Sequence, residues 1–448
     1  MRKKNRIDKD RVLFTREMRN SGYKILIPTM LPRHFRMISR VAKNYGYDLE
    51  VLDNTGRDTI ESGLKYVHND TCYPAQICIG QFIRALESGK YDTDRCALLF
   101  TQTGGGCRAS NYISLLRKAL KKAGYEHVPV ISLNFSSGME KNPGFKMTLP
   151  MLRRMVYAVL YGDMIMLLEN QCRPYELNEG DTLAVSERLT VELAQQLGRK
   201  KRLPYREIKE TFADIVRAYD AIPRRNEKRI RVGIVGEIFV KFSPLANNSL
   251  EQFLIDEGAE PVVPGFLGFA QYCIYNGIVD ADLYGRGKRA VPILRFAHKF
   301  VLKKQNDMIR AVTENSTFMP PADFEVTRKL AEDCIGLGVK MGEGWLLPGE
   351  MLDLIHSGVS NIVCTQPFGC LPNHIVGKGM MKPLREMHPD ANIVAVDYDA
   401  GATVINQQNR IKLMLANARE IAERKEKATA DAASGASEPT EAREALPV

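Results

Sequence analysis

An apolar leader is not expected from the first residues. Met1-Arg-Lys-Lys-Asn-Arg6 runs straight into further charged residues, so export is not expected and a cytoplasmic protein is. The chain has no membrane-length apolar run either. The most apolar long stretch, 151–168, carries Arg153, Arg154 and Asp163, too polar for a span of about 20 residues, and reads as a buried helix. No Cys-x2-Cys pair occurs and histidines number only seven, which removes the usual zinc patterns. No Gly-x4-Gly-Lys-Ser/Thr loop is present, and Gly233-Ile-Val-Gly236 lacks the full dinucleotide fingerprint, so the chain is not expected to hydrolyse ATP itself. The basic runs Arg199-Lys-Lys-Arg202 and Arg224-Arg225 with Lys228-Arg229 lack interleaved aromatics, which makes nucleic acid the least favoured partner. A solvated surface is their plain reading, ahead of an acidic protein or a phosphate-bearing substrate such as a coenzyme A ester.

What is present is ordinary in bulk: 448 residues, 44% hydrophobic and 26% charged, with a formal net charge of +10. That length allows two or three domains. Short apolar runs alternate with amphipathic segments. Strands are predicted at 23–28, 49–52, 97–101 and 128–133, with helices across 32–46, 74–88 and 109–124. The rhythm restarts at 230–236, continues through a helix near 247–257 and a strand at 261–263, and ends with strands at 361–364 and 392–397. Alternation of this kind predicts α/β lobes with mostly parallel sheets flanked by helices. We divide the chain into an N-terminal extension (1–20), a first lobe (21–146), a helical connector (147–228), a second lobe (229–424) and a disordered tail (425–448), the last small, polar and free of aromatics.

Nine cysteines are scattered through a chain without an export signal, so metal or redox work is expected ahead of a disulfide framework. Three lie in loops and not in apolar runs: Cys72 in Cys-Tyr-Pro-Ala75, Cys107 after Gly104, Gly105 and Gly106, and Cys370 in Gln366-Pro-Phe-Gly-Cys370. A thiolate in such a loop is open to a ligand and has little packing value. Cys107 and Cys370 each follow a predicted strand by six residues, where ligands gather on an open parallel sheet. The three glycines let backbone amides approach the Cys107 sulfur. Cys72 opens a helix with Pro74 in its first turn, so the helix dipole is expected to favour its thiolate. Three such loops suit an iron–sulfur cluster. Cys96 and Cys334 read as core residues, while Cys78, Cys172, Cys273 and Cys364 remain reserve ligands. In the second lobe Glu237 follows a predicted strand as a candidate acid/base group, with Asn247 and Asn248 nearby as candidate orienting groups. His68 and His374, each four residues from a favoured cysteine, are candidates for supporting hydrogen bonds.

Three segments, Tyr66-Val-His-Asn-Asp-Thr-Cys-Tyr-Pro-Ala75, Thr101-Gln-Thr-Gly-Gly-Gly-Cys-Arg-Ala-Ser-Asn111 and Gln366-Pro-Phe-Gly-Cys-Leu-Pro-Asn-His374, resemble the dehydratase-like half of the large 2-hydroxyacyl-CoA dehydratase/activase proteins, over about residues 20 to 420. The resemblance implies a two-lobed α/β protein with a [4Fe-4S] cluster held by three cysteines, matched here by Cys72, Cys107 and Cys370, and one iron open to a substrate carbonyl. It also implies an acyl-CoA substrate, a homo- or heterodimer, and an ATP-dependent activase of actin-like fold as electron donor. That activase is not among the residues of this chain and would act in trans. The related double-cubane proteins, which reduce small molecules on a larger [8Fe-9S] assembly, are the alternative, together with a non-catalytic electron relay.

Overall fold

The computed structural model describes residues 11–102, 106–134, 142–199 and 202–435. The alternating pattern folds into two four-stranded sheets with every pairing parallel. In the first, β1 (Lys24–Ile27), β2 (Asp48–Val51), β3 (Cys96–Gln102) and β4 (Val130–Asn134) lie in the order β2-β1-β3-β4. In the second, β5 (Ile230–Gly236), β6 (Ala259–Val262), β7 (Asn361–Pro367) and β8 (Asn392–Tyr398) lie in the order β6-β5-β7-β8. Each sheet therefore reverses direction once, between β1 and β3 and between β5 and β7. The loops after these strands splay apart there and leave room for a ligand.

Strands with apolar residues on both faces need cover on both sides. Leu26, Leu98 and Phe100 face one way into a core that continues into the second lobe through Val232, Ile234, Phe239, Val240 and Tyr398. One apolar core thus runs across both lobes, and each fully buried leucine or isoleucine adds roughly 1.5–3 kcal/mol to holding it. Ile25, Ile27, Ala97, Leu99 and Ile131 face the other way, against the connector.

The connector comprises the helices Leu149–Cys172, Asp181–Leu197 and Tyr205–Asp220. The first is the helix expected from the apolar run. Its buried Asp163 accepts from the amides of Phe266 (3.0 Å) and Leu267 (2.8 Å) and lies 2.8 Å from His34 Nε2. A carboxylate amid Leu and Met is tolerated because all its partners are supplied, two of them by the start of the helix Phe266–Tyr284.

One large feature was not apparent in the alternation. Between β6 and β7 the chain forms four substantial helices, Phe266–Tyr284, Val291–Asn315, Phe324–Cys334 and Leu346–His356. Cys273, one of the reserve ligands, lies inside the first of them. The last helix, Val404–Gly435, extends into the segment assigned to the tail, and residues 436–448 lie outside the described residues. Among the described residues no helix is long and apolar enough to cross a membrane, and all nine cysteines are unpaired.

Candidate metal centre at the lobe junction

The three cysteine segments meet where the lobes touch. Cys72 is the residue before the helix Tyr73–Glu87, with Pro74 in its first turn. The Tyr73 amide donates to the Phe368 carbonyl of the other lobe (3.3 Å). Gly369 has φ +72°, so glycine serves the left-handed turn that carries the chain past Cys72. From the other side, the Gly106 amide donates to Met341 Sδ (3.0 Å), tying the Cys107 loop to the second lobe. Gly104 and Gly105 lie outside the described residues.

Each of the three sulfurs has a hydrogen-bonding neighbour. Tyr112 Oη is 3.2 Å from Cys72 Sγ, the Ala109 amide donates to Cys107 Sγ at 3.5 Å, and Asn373 Nδ2 donates to Cys370 Sγ at 3.4 Å. The donor to Cys107 therefore comes from the turn that follows it, whereas the Gly106 amide is turned toward Met341. The Tyr112 ring is fixed by stacking on Phe100, with centroids 5.4 Å apart. Cys72 and Cys370 are buried, while Cys107 is half-buried.

Two carboxyls lie behind the cysteines. Glu237 follows β5 directly and caps the short helix Ile238–Phe242, accepting from the Val240 amide at 2.8 Å. Glu343 comes from the long β6–β7 passage. It accepts from the Ile238 amide (3.1 Å) and from Asn373 Nδ2 (3.2 Å), the same amide group that reaches Cys370. Burial, reinforced by Glu343, pushes the Glu237 carboxyl up to about 8, and burial raises Glu343 as well. A third buried carboxyl, Glu350, is held by Lys241 Nζ at 3.0 and 2.9 Å.

The thiols respond to this acidic, dry setting. Burial pushes Cys107 up to about 12 and raises Cys72 and Cys370, and Glu343 and Glu237 add to the effect at Cys107 and Cys370. The helix start was expected to favour the Cys72 thiolate. At this site burial outweighs it, because a sulfur anion loses more hydration than one helix end and one hydroxyl return.

The Lys241 charge is taken up by Glu350, so Glu237, Glu343 and the three thiols form an acid-rich site that suits a cationic group. Among the described residues no three His, Cys, Asp or Glu side chains close around a single-ion point. Ligands of a polynuclear cluster bind different corners and stand farther apart than ligands of one ion, so this observation bears on a single ion only. Polar atoms near Cys370 are left without partners: the amide of fully buried Gln366 has none at either end, and Asn373 Oδ1 has none. Buried groups of this kind are ordinarily satisfied. Both belong to the segment that carries Cys370.

The other sequence candidates divide clearly. Asn247 spends its side chain on the Val240 and Lys241 carbonyls and the Leu250 amide, and Asn248 pairs with Gln407, so both brace local structure. His374 Nδ1 meets the Cys370 carbonyl (2.7 Å) and not its sulfur, and His68 is exposed, accepting from the Asp70 amide. Glu343, Tyr112 and Asn373 were missed. Only Asn373 carried a signal, standing three residues after Cys370, whereas Glu343 lies some 100 residues from Glu237 in sequence.

The fold and site define a two-lobed, doubly parallel α/β protein with a buried thiol–carboxyl centre at its lobe junction. No family model matches the chain, and no curated protein matches its sequence.

Proposed function

We propose that the protein is an iron–sulfur enzyme of the 2-hydroxyacyl-CoA dehydratase type, which holds a [4Fe-4S] cluster through Cys72, Cys107 and Cys370 and receives a low-potential electron from an ATP-dependent activase. The observation that carries the reading is the meeting of three cysteines from two lobes in one buried place, each with its own hydrogen-bonding partner. When bound, the cluster supplies a Lewis-acidic iron and one-electron chemistry.

The chain's own residues have distinct tasks. The three thiols give up their protons on loading, since only thiolates ligate iron. Tyr112, Ala109 and Asn373 orient the sulfurs and withdraw charge from them. Glu237, held near neutral affinity for its proton at about 8, is suited to exchange a proton with an acyl substrate under physiological conditions. Glu343 positions Asn373, and its nearness to Glu237 disfavours ionisation of both carboxyls together. The Phe368–Cys370 loop and the Gly106–Met341 contact hold the two lobes together beside the thiols.

A double-cubane reductase is the second reading. Cys78 feels the charge of Glu237, and Cys273 and Cys364 feel that of Glu343, so six cysteines surround the same carboxyls. Against it, Cys78 lies within the helix Tyr73–Glu87 and Cys364 within the strand Asn361–Pro367, whereas Cys72, Cys107 and Cys370 stand at turns or helix starts, which favours three ligands and four irons. Anaerobic reconstitution with iron and sulfide counting and electron paramagnetic resonance tests both readings. About four irons per chain supports the first and about eight the second; no cluster in the wild type refutes both. Serine at Cys72, Cys107 or Cys370 should each reduce cluster content, and full content in all three variants would overturn the ligand set. Turnover of a 2-hydroxyacyl-CoA with reduced activase separates an enzyme from an electron relay.

A further inference from the structure

Two surface clefts lie away from the cysteines, both lined by basic residues. The smaller, about 250 Å³, carries Arg36, Arg40 and Lys43, but Arg36 is already paired with Glu187. The larger, about 580 Å³, lies between the helices Tyr205–Asp220 and Val291–Asn315, and its charge is not balanced. Lys299, Lys303, Asn306 and Arg310 follow one another at helical spacing, which places them along one stripe. Lys209 faces them from the other helix.

The cleft's one carboxylate, Asp307, is already engaged: it accepts from Tyr205 Oη at 2.6 Å and pairs with Lys209 at 3.3 Å. Among the described residues neither Lys299, Lys303 nor Arg310 has a carboxylate at ion-pair distance. Beneath them Lys304 is buried, its Nζ 3.3 Å from the centroid of the Tyr205 ring, so a further positive charge lies under the floor. Like charges one turn apart repel, and several are gathered here in a concave place.

We propose that this cleft binds a linear oligophosphate, either free or carried by a nucleoside. From Lys299 to Arg310 the helix rises roughly 16 Å, so the cations are strung out along the cleft, and a short phosphate chain carrying several charges meets more of them at once than a single phosphate does. Lysines are point-charge donors suited to phosphate oxygens. The Tyr205 ring has Lys304 on its face and stacks on Tyr157, 6.1 Å away. It therefore offers no platform for a base, and the phosphates are the recognised part.

Isothermal titration of the full chain with inorganic triphosphate, at about 0.15 M salt, tests the proposal. Saturable binding is expected, weakened about threefold to fivefold by Lys299→Gln and by Lys303→Gln, in line with an exposed ion pair. The control pair Lys118→Gln and Lys121→Gln, on an exposed face of the helix Tyr112–Ala123, should leave it unchanged. ATP binding as tightly as triphosphate points to the free chain, and tighter binding to a nucleoside-borne one. Absence of saturable binding, equal weakening by the control pair, or orthophosphate binding as well as triphosphate would overturn the proposal.

Discussion

Replacing Glu237 with glutamine isolates the electrostatic cost of the site. The carboxyl has an ordinary value of 4.5 and is pushed up to about 8 by burial, with the Glu343 charge adding. Between those values the native chain keeps a proton that the unfolded chain has released, so stability falls as pH rises, by about 1.4 kcal/mol per pH unit. At about pH 7 the accumulated cost is roughly 3 kcal/mol, and above about pH 8 it levels near 5 kcal/mol. Glutamine needs no proton, and its carbonyl can still accept from the Val240 amide that Glu237 now caps at 2.8 Å. The metal-free E237Q protein should therefore be more stable than wild type at about pH 7, by about 2 kcal/mol once a weaker cap is allowed for. Its advantage should grow with pH. Urea unfolding under chelator at about pH 5.5 and about pH 7.5 should show the two stabilities diverging by roughly 2–3 kcal/mol. Parallel pH dependences would refute the burial argument, as would a variant less stable at both values.

Three further outcomes follow from the same geometry. Tyr112→Phe removes the hydroxyl 3.2 Å from Cys72 Sγ; a reconstituted cluster should keep its iron content while its midpoint potential falls by roughly 40 mV, equivalent to one hydrogen bond of about 1 kcal/mol, as read by spectroelectrochemical titration. Lys241→Met leaves Glu350 buried without its partner at 2.9 Å and should lower stability by about 3–5 kcal/mol, measured by denaturant titration, with Lys241→Met/Glu350→Leu recovering most of it. Cluster assembly should release about three protons per chain near neutral pH, detectable as a buffer-dependent heat in calorimetry, because Cys72, Cys107 and Cys370 are all held protonated by burial; release near zero would mean that these thiols are not the ligands.

The sheets were legible because local pattern and burial agree. Strand Ile230–Gly236 and the buried helix over 151–168 show in their apolar runs, and parallel order follows from helices placed between short strands. The helices between β6 and β7 were less so, since segments such as Phe266–Tyr284 are apolar nearly all round and give no single-face period.

The chain's order of residues determines which groups are available: loop cysteines beside glycine and proline, and a glutamate directly after a strand. Those depend on neighbours a few positions away. Only the tertiary structure decided that Glu343 faces the site of Glu237, that Tyr112 and Asn373 serve the Cys72 and Cys370 sulfurs, and that burial overrides the helix end at Cys72. Each of these is a matter of distance and dehydration between segments remote in sequence, and no local pattern records it.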